Sequence, residues 1–195
     1  MVAFYLPQPF LHQRGASLIE VLVALVIVAF GLLGIVGMQA RLQVSEMESY
    51  QRSQALLLLN DMANRIAINR NAAASYVTTS ASPLGAGMSC PTATSTVVQQ
   101  DMREWCNAMQ GAGETTGTGV GTAKVGVMVG GRGCVEVSGS DYLVTVVWQG
   151  LTPVSAPPAS VACGAGSYNG PSGSTCKNDL CRRNVTTLVR IANLL

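Results

Sequence analysis

Glu20 is the one ionisable side chain in an apolar run that extends from Leu18 to Met38. As a helix that run is roughly 31 Å long at about 1.5 Å per residue, and the hydrocarbon core of a bilayer is ~30 Å thick. An acid in such a segment is rare and usually functional, because in a low dielectric it must find a cation or reach the interface. A junction of small residues, Gly15-Ala16-Ser17, stands directly before the run. Six cysteines make the second set that could do chemistry: Cys90, Cys106, Cys134, Cys163, Cys176 and Cys181. The only histidine, His12, precedes the junction.

The apolar run inserts despite its acid. Fourteen Leu, Ile, Val and Phe residues lie between Leu18 and Val36. At about −0.3 to −0.6 kcal/mol each they outweigh a central carboxylate, which costs about 3 kcal/mol, and Glu20 lies near one end. An ordinary secretory signal has its apolar region before its small-residue cleavage site, whereas here the apolar run follows the small residues Gly15-Ala16-Ser17 and is expected to be retained. Arg14 on one side, with Arg41, Glu46 and Glu48 on the other, gives weak support for a cytoplasmic leader and an exported C-terminal part.

An even number of cysteines in an exported domain reads as a disulfide set. A zinc site fits poorly, since no CxxC knuckle occurs and no histidine follows the leader. Charged residues are 11% and the net charge is +2, which gives no electrostatic support for nucleic-acid binding. Arg182-Arg183 is the sole basic doublet and reads as the solvated start of a strand.

These groups must be carried by a small number of elements. Beyond Met38 the helical pattern becomes amphipathic, with Leu42, Ala55, Leu58, Leu59, Met62 and Ile66 at mostly three- and four-residue intervals. No proline occurs between Pro9 and Pro83, so one helix is expected from about Ser17 to Asn69. Gly31, Gly34 and Gly37 are its weak points, each costing about 1 kcal/mol against Ala. A polar loop through Ser82-Pro83 should end it. A second helix is expected from about Val97 to Met109, with Val98, Met102, Trp105 and Met109 on one face.

The glycine-rich stretch Gly111–Gly133 contains Gly117, Gly119 and Gly121 but no GK[ST] and no following helix pattern, so turns are expected and not a phosphate loop. Strands are expected at Lys124–Val129, Cys134–Val137, Tyr142–Trp148 and Asn184–Ala192, with a hairpin at Ser138-Gly139-Ser140-Asp141. Thr152–Ser174 reads as a long loop that disulfides must fasten. On that layout Cys90 pairs with Cys106 around the short helix, and Cys163 pairs with Cys181 to close the loop against the last strand. Cys134 and Cys176 remain as the third pair.

The sequence Gln13-Arg14-Gly15-Ala16-Ser17-Leu18-Ile19-Glu20-Val21-Leu22-Val23-Ala24-Leu25 resembles the class III signal of type IV pilins and type II secretion pseudopilins. The resemblance implies cleavage by a prepilin peptidase between Gly15 and Ala16 and methylation of the new N-terminus at Ala16. It further implies that Glu20, fifth from the cut, docks on a neighbouring subunit's amine. The usual first mature residue of that family is Phe, and here it is Ala16. The DMREW stretch from Asp101 to Trp105, the YLVTVVW strand and the Cys-flanked loop before an arginine-started last strand resemble more loosely the PilV minor pilins, or type IV pilus modification proteins.

The resemblance implies a pilin-like α+β fold, in which a long N-terminal α-helix packs on a small antiparallel β-sheet domain with disulfides. Its parts would be a leader at 1–15, a transmembrane helix at 16–38, an amphipathic extension at 39–70 and a periplasmic or extracellular domain at 71–195. The function implied is that of a minor pilin in pilus assembly, initiation, and pilus-dependent motility or adhesion. Such a protein spans the bacterial inner membrane once and enters the pilus after assembly. Its expected partners are the inner membrane, prepilin peptidase, and other minor and major pilins; no cofactor, metal, nucleic acid or small-molecule substrate is expected. A type II secretion pseudopilin is the alternative. A membrane-anchored enzyme is remote, because no GxSxG elbow, paired-acid motif or mature-chain histidine is present.

Overall fold

A computed structural model describes residues 15, 17–113, 115–117, 123–124 and 128–191. The expected leader as far as Arg14, Ala16, Gly119, Gly121, and residues 125–127 and Ala192 of the expected strands lie outside the described residues.

Helix α1 runs Leu18–Ile68, close to the expected span. The chain divides into two compact units, Met1–Gln43 and Val44–Leu195, and α1 contributes to both. In the first unit its apolar side chains are exposed all round, from Leu18 (85%) to Met38 (64%). In the second unit Gln51, Ala55, Leu59, Met62 and Ile66 are buried, at intervals of three and four residues that make one helical face. A 3₁₀ helix at Arg70–Tyr76 replaces the start of the expected polar loop and buries Ala73 and Tyr76.

Helix α2 spans Val97–Met109. Thr96 caps it by accepting a hydrogen bond from the Gln99 backbone N–H at 3.2 Å, while Gln99 Oε1 accepts from the Thr96 N–H at 3.3 Å. This reciprocal capping box satisfies two donors that a helix start otherwise leaves open.

Among the described residues the strands in chain order are β1 Leu84–Gly85, before α2, and then β2 Thr115–Thr116, β3 Ala123–Lys124, β4 Arg132–Ser138, β5 Asp141–Gln149 and β6 Arg182–Val189. The main sheet is antiparallel in the order β1-β4-β5-β6, and β2 and β3 pair separately. The expected Lys124–Val129 strand is thus represented among the described residues only by β3, and β1 and β2 were not anticipated. Gly139 has a left-handed φ of +66° in the β4–β5 hairpin. A two-residue hairpin needs that backbone at its first central position to follow the twist of the strands.

The core lies between α1, α2 and one face of the sheet, with Leu59, Met62, Ile66, Trp105, Met109, Val135, Val144, Val146 and Trp148 at its centre. Trp105 Nε1 donates to the Leu58 carbonyl at 2.9 Å, which ties α2 to α1. At Gly133 on β4 a Cβ would collide with the Trp105 ring and the Met109 methyl. The helix can therefore sit on the sheet only where that strand has no side chain. On the opposite face Cys134, Val147, Cys163 and Tyr168 form a second, smaller cluster.

The disulfides are Cys90–Cys106, Cys134–Cys163 and Cys176–Cys181. The expected Cys163–Cys181 and Cys134–Cys176 pairs are corrected. Cys134 faces away from the helices on β4, and the long loop folds over that face to bring Cys163 within a Cα separation of 5.9 Å. Cys181 then bonds Cys176 across a tight loop at 5.2 Å. Asn178 and Asp179, both at positive φ, reverse the chain within it.

Arg182 corrects a further expectation. It is buried at 3% exposure rather than solvated. Its Nη1 donates to the carbonyls of Val161 (2.7 Å) and Cys163 (3.0 Å), and its Nε pairs with Asp179 at 3.2 Å. A guanidinium that donates to two carbonyls and has a carboxylate beside it tolerates burial that an unpaired one would not, although its Nε–H makes no hydrogen bond among the described residues.

Candidate functional site

The N-terminal end of α1 begins on a cap. Ser17 Oγ accepts from the Glu20 N–H at 3.3 Å, and the Ser17 carbonyl accepts from Glu20 N–H at 3.0 Å and Val21 N–H at 3.3 Å. Glu20 is therefore the third residue of the helix, in its first turn. A carboxylate there complements the partial positive charge of the unsatisfied N–H groups. Among the described residues no side-chain donor or cation engages the Glu20 carboxylate. Gly15 is exposed, and a Cβ on it would meet nothing within 4 Å. Nothing described in the fold thus demands glycine at that position. Ala16, the other half of the expected cleavage junction, lies outside the described residues.

The helix that follows is long and apolar enough to cross a membrane, and none of its most apolar window is buried in the chain. A helix that is apolar on every side needs lipid or other helices around it. Gly31, Gly34 and Gly37 likewise have no neighbour within 4 Å of an added Cβ, so no described intramolecular contact explains them. What this end offers is an apolar surface and, among the described residues, one carboxylate without a side-chain partner.

The second unit holds polar groups that the sequence reading did not find. Glu48 Oε1 accepts from Leu151 N–H (3.0 Å), Thr152 Oγ1 (3.4 Å) and Arg183 Nη2 (3.1 Å). Arg183 also donates to the Thr152 carbonyl at 2.7 Å, so α1, β6 and the loop after β5 are joined at one point. Arg65 binds three carboxylates, with Nε on Asp61 (3.0 Å) and Nη1 on Asp101 (2.6 Å) and Glu104 (2.9 Å). Burial acts to lower the Arg65 pKa, but the hydrogen bonds to Glu104, Asp61 and Asp101 prevail and hold it above its ordinary value. The same arginine holds the Glu104 carboxyl below the usual carboxylate range.

The Tyr76 hydroxyl donates to Asp101 and accepts from Asn69 Nδ2 at 3.2 Å. Burial, with the hydrogen bond to Asp101 adding to it, pushes Tyr76 up to about 12. Only the Asp61–Arg65 pair, four residues apart on a helix, was open to detection in the sequence. Among the described residues no group of three or more His, Cys, Asp or Glu side chains is placed to hold a metal. The Arg65 cluster ties α1 to α2 within the second unit.

Comparison with known families places two matches end to end on this chain. Residues 11–36 match the prokaryotic N-terminal methylation motif, and residues 37–113 match the family described as type IV pilin Tt1218. No curated protein and no solved structure matches. The first match contains Gly15, Ser17 and Glu20; the second carries the amphipathic part of α1 and all of α2. With its long N-terminal helix, small antiparallel sheet and three disulfides, the chain has a pilin-like α+β architecture.

Proposed function

We propose that this chain is a minor type IV pilin, processed by prepilin peptidase and then built into a pilus. One observation carries the reading. An apolar helix with no burial inside its own chain starts on a capped turn that holds an unengaged carboxylate. The methylation-motif match over residues 11–36 supports processing at that end. Under this reading residues 1–15 are the leader, 16–38 cross the inner membrane, 39–70 extend the helix and 71–195 form the exported domain. The cut falls between Gly15 and Ala16, and Ala16 is methylated.

Removal of the leader creates the Ala16 amine. The mechanism of assembly is then attraction between that cation and the Glu20 carboxylate of a neighbouring subunit. In a low dielectric such a pair is far stronger than in water, although desolvation offsets much of the gain. Apolar helix packing holds the bundle, and the disulfide-tied domain faces outward.

The test is Glu20→Ala compared with wild type at matched membrane levels. The variant should be cleaved and inserted, since removing the acid only favours insertion, yet be recovered poorly in sheared pili. Equal recovery of the two would remove the charge pair as the docking device. Intact mass should show a methylated chain starting at Ala16, and Gly15→Val should leave the precursor uncut. Deletion should reduce pilus number or twitching; loss of type II secretion with normal pili would identify a pseudopilin instead.

A further inference from the structure

A cleft of about 290 Å³ opens in the second unit where the amphipathic part of α1 passes the end of the sheet. Ser45, Glu48, Ser49 and Arg52 line it from the helix, at spacings that place all four on one face. Trp148 from β5, with Arg183 and Asn184 from β6, closes the other side.

One oxygen of the carboxylate in this cleft is already in use. Glu48 Oε1 takes Arg183, the Leu151 N–H and the Thr152 hydroxyl. Positive charge predominates in what remains. Among the described residues Arg52 forms no ion pair, and the Ser45 and Ser49 hydroxyls and the Asn184 amide add neutral groups that can donate. Trp148 is 3% exposed, and its buried indole N–H has no acceptor among the described residues. The other indole, that of Trp105, is satisfied by the Leu58 carbonyl. A buried donor without an acceptor is a standing cost in free energy. Two guanidiniums against one carboxylate also leave the walls positive. A cation would meet two guanidiniums there, and an apolar group would meet polar walls.

We propose that this cleft is a binding site for a small oxyanion, a carboxylate- or phosphate-bearing molecule held chiefly by Arg52. The site is independent of the pilin reading, since it needs neither processing nor assembly.

The chain has two tryptophans, so the indole N–H signals of the full-length protein in detergent micelles report the site and its control together. Titration with glucuronate and with inorganic phosphate, at ionic strength held constant with sodium chloride, should shift the Trp148 signal saturably and leave Trp105 in place. Saturation by either anion supports the site and identifies the oxyanion it prefers. Arg52→Ala should weaken binding about tenfold or more, the loss expected for a charge-assisted hydrogen bond, and Arg52→Lys should weaken it less. Arg52 is exposed, and an unchanged Trp105 signal would verify that the variants are folded. The proposal fails if neither anion gives a saturable shift, if glucose or added sodium chloride gives the same shift, or if Arg52→Ala titrates like wild type.

Discussion

At the scale of the residue, Gly133 and the two buried tyrosines make the sharpest demands. Gly133 lies under Trp105 and Met109, where a Cβ has no room. Gly133→Ala should therefore destabilise the domain by about 1–3 kcal/mol through overpacking, read as a lower denaturant midpoint; Gly139→Ala, with open space around it but a φ of +66°, should cost only backbone strain. Tyr76 and Tyr168 are each pushed up to about 12, chiefly by burial, from an ordinary 10.0. A phenol whose folded pKa is raised stabilises fully below the unfolded value and loses that contribution as pH rises through the folded one. Unfolding free energy should thus fall between about pH 10 and 12. Replacing both tyrosines with Phe should flatten that part of the curve, at the price of a lower baseline from the lost hydrogen bonds. A profile equally steep without the two phenols would assign the fall to other groups.

Single elements separate what the sequence made legible from what it hid. The period of Ala55, Leu59, Met62 and Ile66 and the unbroken run before them defined α1 to within a residue or so. The face of Val98, Met102, Trp105 and Met109 defined α2 equally well. The two-residue strands β1 and β2 have no period to detect, and only pairing with β4 and β3 makes them strands. Cys134 and Cys163 belong together because β4 turns Cys134 to the face the long loop covers, and no spacing rule shows a face. The burial of Arg182 depends on the same loop, whose carbonyls at Val161 and Cys163 are set by tertiary folding. The helix start beside Gly15 and Glu20 was legible because it is local in the chain, whereas Glu48 and Arg183 meet across a separation of 135 residues. The disulfides give a graded prediction. In the loop-entropy account, removing Cys134–Cys163 (separation 29), Cys90–Cys106 (16) and Cys176–Cys181 (5) should cost roughly 3.5, 3 and 2 kcal/mol in turn. Paired Cys→Ala variants followed by denaturant unfolding would read that order. An inverted order would mean that strain or residual structure outweighs loop length.

For the whole molecule the division after Gln43 matters most. The second unit holds the helix face, the sheet and every disulfide. A chain starting at Val44 should accordingly stay soluble without detergent and keep a two-state unfolding transition, whereas the full chain should require lipid or micelles. Aggregation of the shorter chain would show that the exposed Met47, Tyr50 and Leu57 also need cover.

The three disulfide bonds join the cysteines strictly in the order in which they occur, first to second, third to fourth and fifth to sixth. No bond encloses or crosses another. A chain oxidised as it emerges, N-terminus first, can therefore close each bridge with the next thiol to appear, and it never has to break one in order to make another. Thiol–disulfide exchange is the slow part of many oxidative folding reactions, and this connectivity leaves it nothing to correct. Yield of the oxidised protein should depend on a donor of oxidising equivalents and be indifferent to the loss of a disulfide isomerase.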